Sequence, residues 1–84
     1  MIYELNPGRL YKVKETFCYR INDDKSYIQK YIDVNDILVF LRWEHSNNNA
    51  LDIPTFLFKN KIIHPFYKSI CLVITRRLDN VYVQ

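Results

Sequence analysis

Apolar side chains recur at every second position through residues 11–21 (Tyr11, Val13, Phe17, Tyr19, Ile21), with Lys12, Lys14, Thr16, Cys18 and Arg20 in the opposite phase. A period of two belongs to a half-buried strand, whose side chains point alternately to core and water. Glu15 is the one charge in the apolar phase, so the stretch reads as a strand, or a strand pair, bent at Glu15-Thr16. Upstream, Asn6-Pro7-Gly8 predicts a type II turn, because Pro fixes φ at the first corner and Gly admits positive φ at the second. Downstream, the polar cluster Asn22-Asp23-Asp24-Lys25-Ser26 separates this strand from a short one over residues 27–32, which predicts a hairpin across residues 17–32.

Asp33-Val34-Asn35-Asp36 then feeds an uninterrupted apolar run, Ile37 to Leu41, with an alternating tail to His45, the pattern of a central strand. Asn35 tolerates the left-handed conformation a tight turn needs, and Asp36 can accept hydrogen bonds from nearby amides. The Asn-rich residues 46–50 predict an exposed loop, since buried amides need partners. Pro54-Thr55-Phe56-Leu57-Phe58 and Ile62-Ile63 flank Lys59-Asn60-Lys61 as a hairpin with Asn60 at positive φ. Residues 69–75 carry the β-branching of a buried strand, and a closing partner for the other strands is needed there. The alternative over residues 66–78 is a short C-terminal helix, because Phe66, Ile70, Val73, Ile74 and Leu78 also fit a helical stripe behind Pro65. Asp79-Asn80 turns the chain into an end strand over residues 81–83.

The chain of 84 residues allows one domain. Its five to six short strands, separated by polar turns, predict an all-β or mostly β small barrel, since closure hides exposed strand edges. Ile-Asp-Val-Asn-Asp-Ile-Leu-Val-Phe-Leu at residues 32–41 and Phe-Leu-Phe-Lys-Asn-Lys-Ile-Ile at residues 56–63 resemble the turn-to-strand entry and the following hairpin of SH3-like barrels. Asn35 stands where such domains usually carry Gly, and the single Gly of this chain departs from their pattern. The chain is also similar in texture to small barrel proteins of tailed phages, a resemblance that implies action on a host or anti-phage defence protein. Ile, Asn, Lys, Tyr and Phe supply 37 of the 84 residues and Ala one, which fits an AT-rich bacterial or phage genome.

Charge, cysteine and motif content narrow the chemistry. The net charge is +3, and the excess is C-terminal: Lys59, Lys61, Lys68, Arg76 and Arg77 against Asp52 and Asp79 after residue 45. Cys18 and Cys71 lie in apolar stretches without paired spacing, which predicts buried reduced thiols. The N-terminal residues lack a signal-peptide pattern and no apolar run is long enough to span a bilayer, so a cytoplasmic protein without membrane contact is expected. With one Gly there is no phosphate-cradling loop. Cys18, His45, His64 and Cys71 match no zinc-site spacing, and neither His stands beside a recognisable nucleophile motif. Glu44 and His45 are strand neighbours that point to opposite faces, and His64 precedes Pro65 at a loop or strand end. No enzyme activity, metal or cofactor is expected.

A binding module fits the inventory better. Seven Tyr, five Phe and Trp43 exceed what so small a core readily hides, and aromatic and Arg side chains are common interface anchors. The expected protein-binding residues are Tyr3, Tyr27, Tyr31, Arg42, Trp43, Phe66, Tyr67 and Tyr82, with Tyr beside a basic rim suiting an acidic or extended peptide. Arg42 and Trp43 lie on opposite faces of the central strand. Trp43 continues the phase of Ile37, Val39 and Leu41, which favours a core position for it. The alternative is a nucleic-acid-binding barrel using Lys12, Lys14, Arg20, Lys59, Lys61, Arg76 and Arg77, the last four forming one patch if the hairpin tip meets the last strand. Against it, Tyr11, Val13, Phe17 and Tyr19 share one phase and read as core rather than stacking platform. Self-association through an unpaired edge strand is the third expectation.

Overall fold

The alternating stretch breaks at residues 14–17 into β1 (Leu10–Val13) and β2 (Cys18–Ile21), which do not pair with each other. The computed structural model describes residues 4–21, 29–45 and 52–81. Within them β3 (Lys30–Tyr31), β4 (Ile37–His45), β5 (Asp52–Phe58) and β6 (Lys61–Pro65) follow, then a helical turn α1 (Lys68–Leu72), a 3-10 turn (Ile74–Arg77) and β7 (Leu78–Asn80). The chain is mostly β. The seven strands among the described residues form one antiparallel sheet in the order β3-β2-β6-β5-β4-β1-β7, curled into a half-barrel. β4 and β5 are the long strands, and the expected hairpins β2–β3 and β5–β6 both form.

The turns obey local chemistry. Gly8 has φ 81°, and the Arg9 N–H donates to the Asn6 carbonyl across the turn at 3.2 Å. Asn35 has φ 77°, while the Asp33 N–H donates to the Asp36 carboxylate at 3.0 Å. The same turn is tied to β1: the Val13 N–H donates to the Asp36 carbonyl and the Asn35 N–H to the Val13 carbonyl, each at 2.8 Å. At the β5–β6 tip Lys59 and Asn60 both take positive φ, 49° and 64°.

Residues 69–75 correct the strand expectation. Pro65 ends β6, and the Ile70 and Cys71 N–H groups turn back onto the Tyr67 carbonyl at 3.1 and 3.3 Å. The chain is helical there because Ile70, Cys71 and Ile74 fall on one side at helical spacing. Ile70 and Ile74 join the core and Cys71 is buried, so tertiary packing overrides β-propensity. The closing strand comes later, as β7 against β1. Residues 82–84, where most of the expected end strand falls, lie outside the described residues, as do residues 46–50.

The core is a layer of rings. Tyr11, Phe17, Tyr19, Phe40, Phe56 and Phe58 are all buried, with Val13, Ile32, Leu38, Ile63, Ile74 and Leu78 between them. Phe40 meets Phe56 edge-on at 5.6 Å between centroids, and Tyr19 meets Phe58 likewise at 6.0 Å. The buried Tyr11 hydroxyl accepts a hydrogen bond from the Asn6 N–H at 2.7 Å, so its polar end is satisfied. Cys18 and Cys71 are free and buried. Phe56→Ala removes a ring with no exposed surface and should cost about 3–5 kcal/mol in urea unfolding. Leu72→Ala, at a position 72% exposed, should change stability by less than about 0.5 kcal/mol.

Candidate functional site

Three of the expected contact rings converge. Tyr31 stands on β3 opposite Cys18 of β2, and the Phe66 N–H extends the β2–β6 pairing by donating to the Cys18 carbonyl at 2.8 Å. That bond carries the chain past Pro65 and sets Phe66 and Tyr67 beside β2 at the entry to α1. The Phe66 and Tyr67 rings pack edge-on at 5.1 Å. Gln29 links the two segments: its Nε2 donates to the Tyr67 hydroxyl at 3.2 Å and to Cys18 Sγ at 2.8 Å. Tyr31 is 67% exposed and Tyr67 48%, so the cluster faces solvent. The Tyr31 pKa is raised, chiefly by its hydrogen bond with the Cys18 thiol. Leu72, on the same short α1, is also uncovered.

The other expected protein contacts do not join this cluster. Arg42 and Trp43 lie on β4, with β5 and β6 between them and β2. A β-bulge between Phe40 and Arg42 inserts Leu41 as an extra residue, so Phe40 pairs with Phe56 but Arg42 with Thr55 and Trp43 with Pro54. The bulge reverses the alternation. Trp43 therefore shares the core face with Leu38 and Phe40, not the face of Ile37, Val39 and Leu41, which corrects the phase the sequence pattern gave it. Its ring packs edge-on against Phe40 at 5.7 Å and remains 43% exposed at the margin of the core. Tyr3, Tyr27 and Tyr82 lie outside the described residues.

The basic residues divide similarly. Lys12, on β1, pairs with Asp79 of β7, and Lys14 occupies the exposed bend after β1. Arg77 is held by structure: its Nη1 donates to the Thr16 carbonyl at 2.7 Å and lies 4.0 Å from the Glu15 carboxylate. Arg76 is exposed next to it. The four-residue patch does not assemble, because Lys59 and Lys61 sit at the β5–β6 tip while Arg76 and Arg77 lead into β7, with β4 and β1 between. Instead Lys59 and Lys61 gather with Lys30, which the sequence pattern did not single out. Tyr11, Val13, Phe17 and Tyr19 are core, as their shared phase indicates.

Sequence reasoning also missed a polar row on the face opposite the core rings. Register aligns Arg42 with Thr55, and His64 with Arg20. Glu44 bridges the row: Oε1 accepts from Arg42 Nη2 at 2.8 Å, and Oε2 lies 3.2 Å from His64 Nε2. His64 is 4% exposed, and among the described residues neither its Nδ1 nor the Thr55 hydroxyl has a hydrogen-bond partner. Burial pushes the His64 pKa down, and Glu44 only partly offsets this. Burial alone would raise Glu44, but hydrogen bonds from Arg42 and His64 bring it below the usual carboxylate value. Burial likewise raises the Cys71 thiol, which keeps it protonated at neutral pH. His45 pairs separately with Asp52, at 3.2 Å. Among the described residues no three His, Cys, Asp or Glu side chains form a metal-binding group, and no helix is long and apolar enough to cross a membrane.

Both shifts in the row act in the same direction. The folded state holds His64 neutral while the unfolded chain protonates near 6.5, so stability is complete above that value and falls as pH drops below it. Glu44 adds a further loss below its unfolded value of 4.5. Urea midpoints should decrease from about pH 7 to about pH 5, and His64→Leu should flatten the decrease over that interval. An equally steep dependence in the variant would assign it to other groups.

Comparison with known proteins finds no matching family model, no matching curated protein and no matching solved structure.

Proposed function

We propose that this chain is a non-enzymatic protein-binding module that engages its partner through Tyr31, Phe66 and Tyr67. The observation that carries the reading is the convergence of these three rings from β3 and the β6–α1 junction, with Tyr31 and Tyr67 largely solvent-exposed. Tyr and Phe offer large contact areas at small rotamer cost, and Tyr adds a polar tip that tolerates water before binding. Lys68, which begins α1 immediately after Tyr67, adds a basic position that suits an acidic peptide surface. The partner is a host or anti-phage defence protein, the chain a phage-encoded inhibitor or modulator of SH3-like type acting in the host cytoplasm. This origin rests on the compositional bias and the resemblance to small phage barrels.

A second reading, nucleic-acid binding, draws on Lys30, Lys59 and Lys61 at one end of the sheet. Salt separates the two, because phosphate binding weakens steeply with ionic strength whereas apolar contact does not. In affinity capture from host extract, a specific polypeptide should be retained at about 0.5 M salt. Tyr67→Ala and Tyr31→Ala should each reduce its recovery about tenfold or more, with the melting temperature unchanged. A nucleic-acid gel shift abolished by Lys59→Gln and Lys61→Gln, together with capture indifferent to Tyr67, would replace the protein-binding reading by the alternative.

A further inference from the structure

The interior-facing side of the sheet is incompletely covered beside the β5–β6 tip. Register places Tyr19 opposite Lys30, Ile21 opposite Ile63 and Phe58 opposite Lys61, so all six side chains lie on the core face. Between them is a pocket of about 190 Å³, with Tyr19, Ile21, Phe58 and Ile63 as its walls. Lys30, Lys59 and Lys61 stand around it. Lys59 Nζ lies over the Phe58 ring, 5.1 Å from its centroid. Positive φ at Lys59 and Asn60 brings Lys59 and Lys61 back to the same pocket from either side of the tip.

Two features distinguish this arrangement from solvated lysines on a strand edge. The first is concavity with an aromatic wall: Tyr19 and Phe58, one of the edge-on pairs, are the two core rings that line it. The second is a concentration of like charge. Among the described residues no carboxylate lies within ion-pair distance of Lys30, Lys59 or Lys61, although three like charges around one apolar pocket repel one another. An anion at the mouth relieves that repulsion, and an apolar body behind it covers the exposed edges of the rings. An apolar cavity of about 150 Å³ accepts benzene, so the volume here suits one six-membered ring with its head group at the lysines. We infer that the pocket between Tyr19, Phe58 and the three lysines is a binding site for a small aryl anion, a single ring bearing a carboxylate or phosphate.

This inference rests on a different part of the surface from the proposed partner contact and stands independently of it. The probes are benzoate and phenyl phosphate, with inorganic phosphate for the head alone and benzyl alcohol for the ring alone. In two-dimensional amide NMR, either aryl anion should shift the signals of Ile21, Lys30, Lys59, Lys61 and Ile63 saturably. The two control probes should bind about tenfold more weakly or less, because each makes only half of the contacts. Lys59→Gln combined with Lys61→Gln alters only exposed positions; it should weaken aryl-anion binding about tenfold and leave the far-ultraviolet spectrum unchanged. Lys12→Gln, on β1, should have no effect. Absence of saturable shifts, equal response to phosphate alone, or binding indifferent to the lysine substitutions would each overturn the inference.

Discussion

The structure depends on burying six aromatic rings against one face of a single sheet. Tyr11, Phe17, Tyr19, Phe40, Phe56 and Phe58 come from five segments and all reach the same interior. A chain of 84 residues buries only about 60% of the surface its unfolded form exposes, so large side chains are an economical way to fill a small core. A flat sheet would leave those rings wet on one side. Curling the sheet and returning the chain through α1 and the 3-10 turn brings Ile70, Ile74 and Leu78 over them. The edge-on ring pairs are the contacts that result.

The same constraint explains what is left outside. Register sets Tyr31 opposite Cys18, out of phase with the buried Tyr19, and the short β3 holds it at the sheet margin next to the β6–α1 junction, where Tyr67 is also exposed. On β4 the bulge at Leu41 does two things at once. It keeps Trp43 on the ring side, where Phe40 supports it, and it directs Arg42 and Glu44 to the opposite face, where Glu44 reaches His64. The row from Arg42 through Glu44 to His64 is therefore a consequence of the bulge. Removal of Glu44 would leave a nearly buried imidazole without its carboxylate, a costly arrangement.

Much of the fold was legible where the signal was local. Alternation identified Tyr11, Val13, Phe17 and Tyr19 as core, Gly8, Asn35 and Asn60 revealed their turns through backbone chemistry, and the uninterrupted run from Ile37 marked the longest strand. That same run concealed its own phase, since five apolar residues in succession do not say which ones face inward. The bulge is a property of the pairing with β5 and has no signature in β4 alone. The helical turn at Lys68–Leu72 was obscured because its β-branched residues favour a strand until tertiary contacts decide. For the candidate sites, Tyr31, Phe66 and Tyr67 could be named individually, but their convergence depends on the β2–β6 pairing. Lys30 and the Glu44–His64 pair are distant in sequence from their partners, and only topology brings them together.

The described rings divide between a buried layer and an exposed cluster. Photochemically induced nuclear polarisation tests it directly, because the dye reaches only Tyr, Trp and His side chains open to solvent. Tyr31, Tyr67 and Trp43 should polarise strongly, and Tyr11 and Tyr19 not at all, in the folded protein. Polarised Tyr11, or silent Tyr31 and Tyr67, would contradict it.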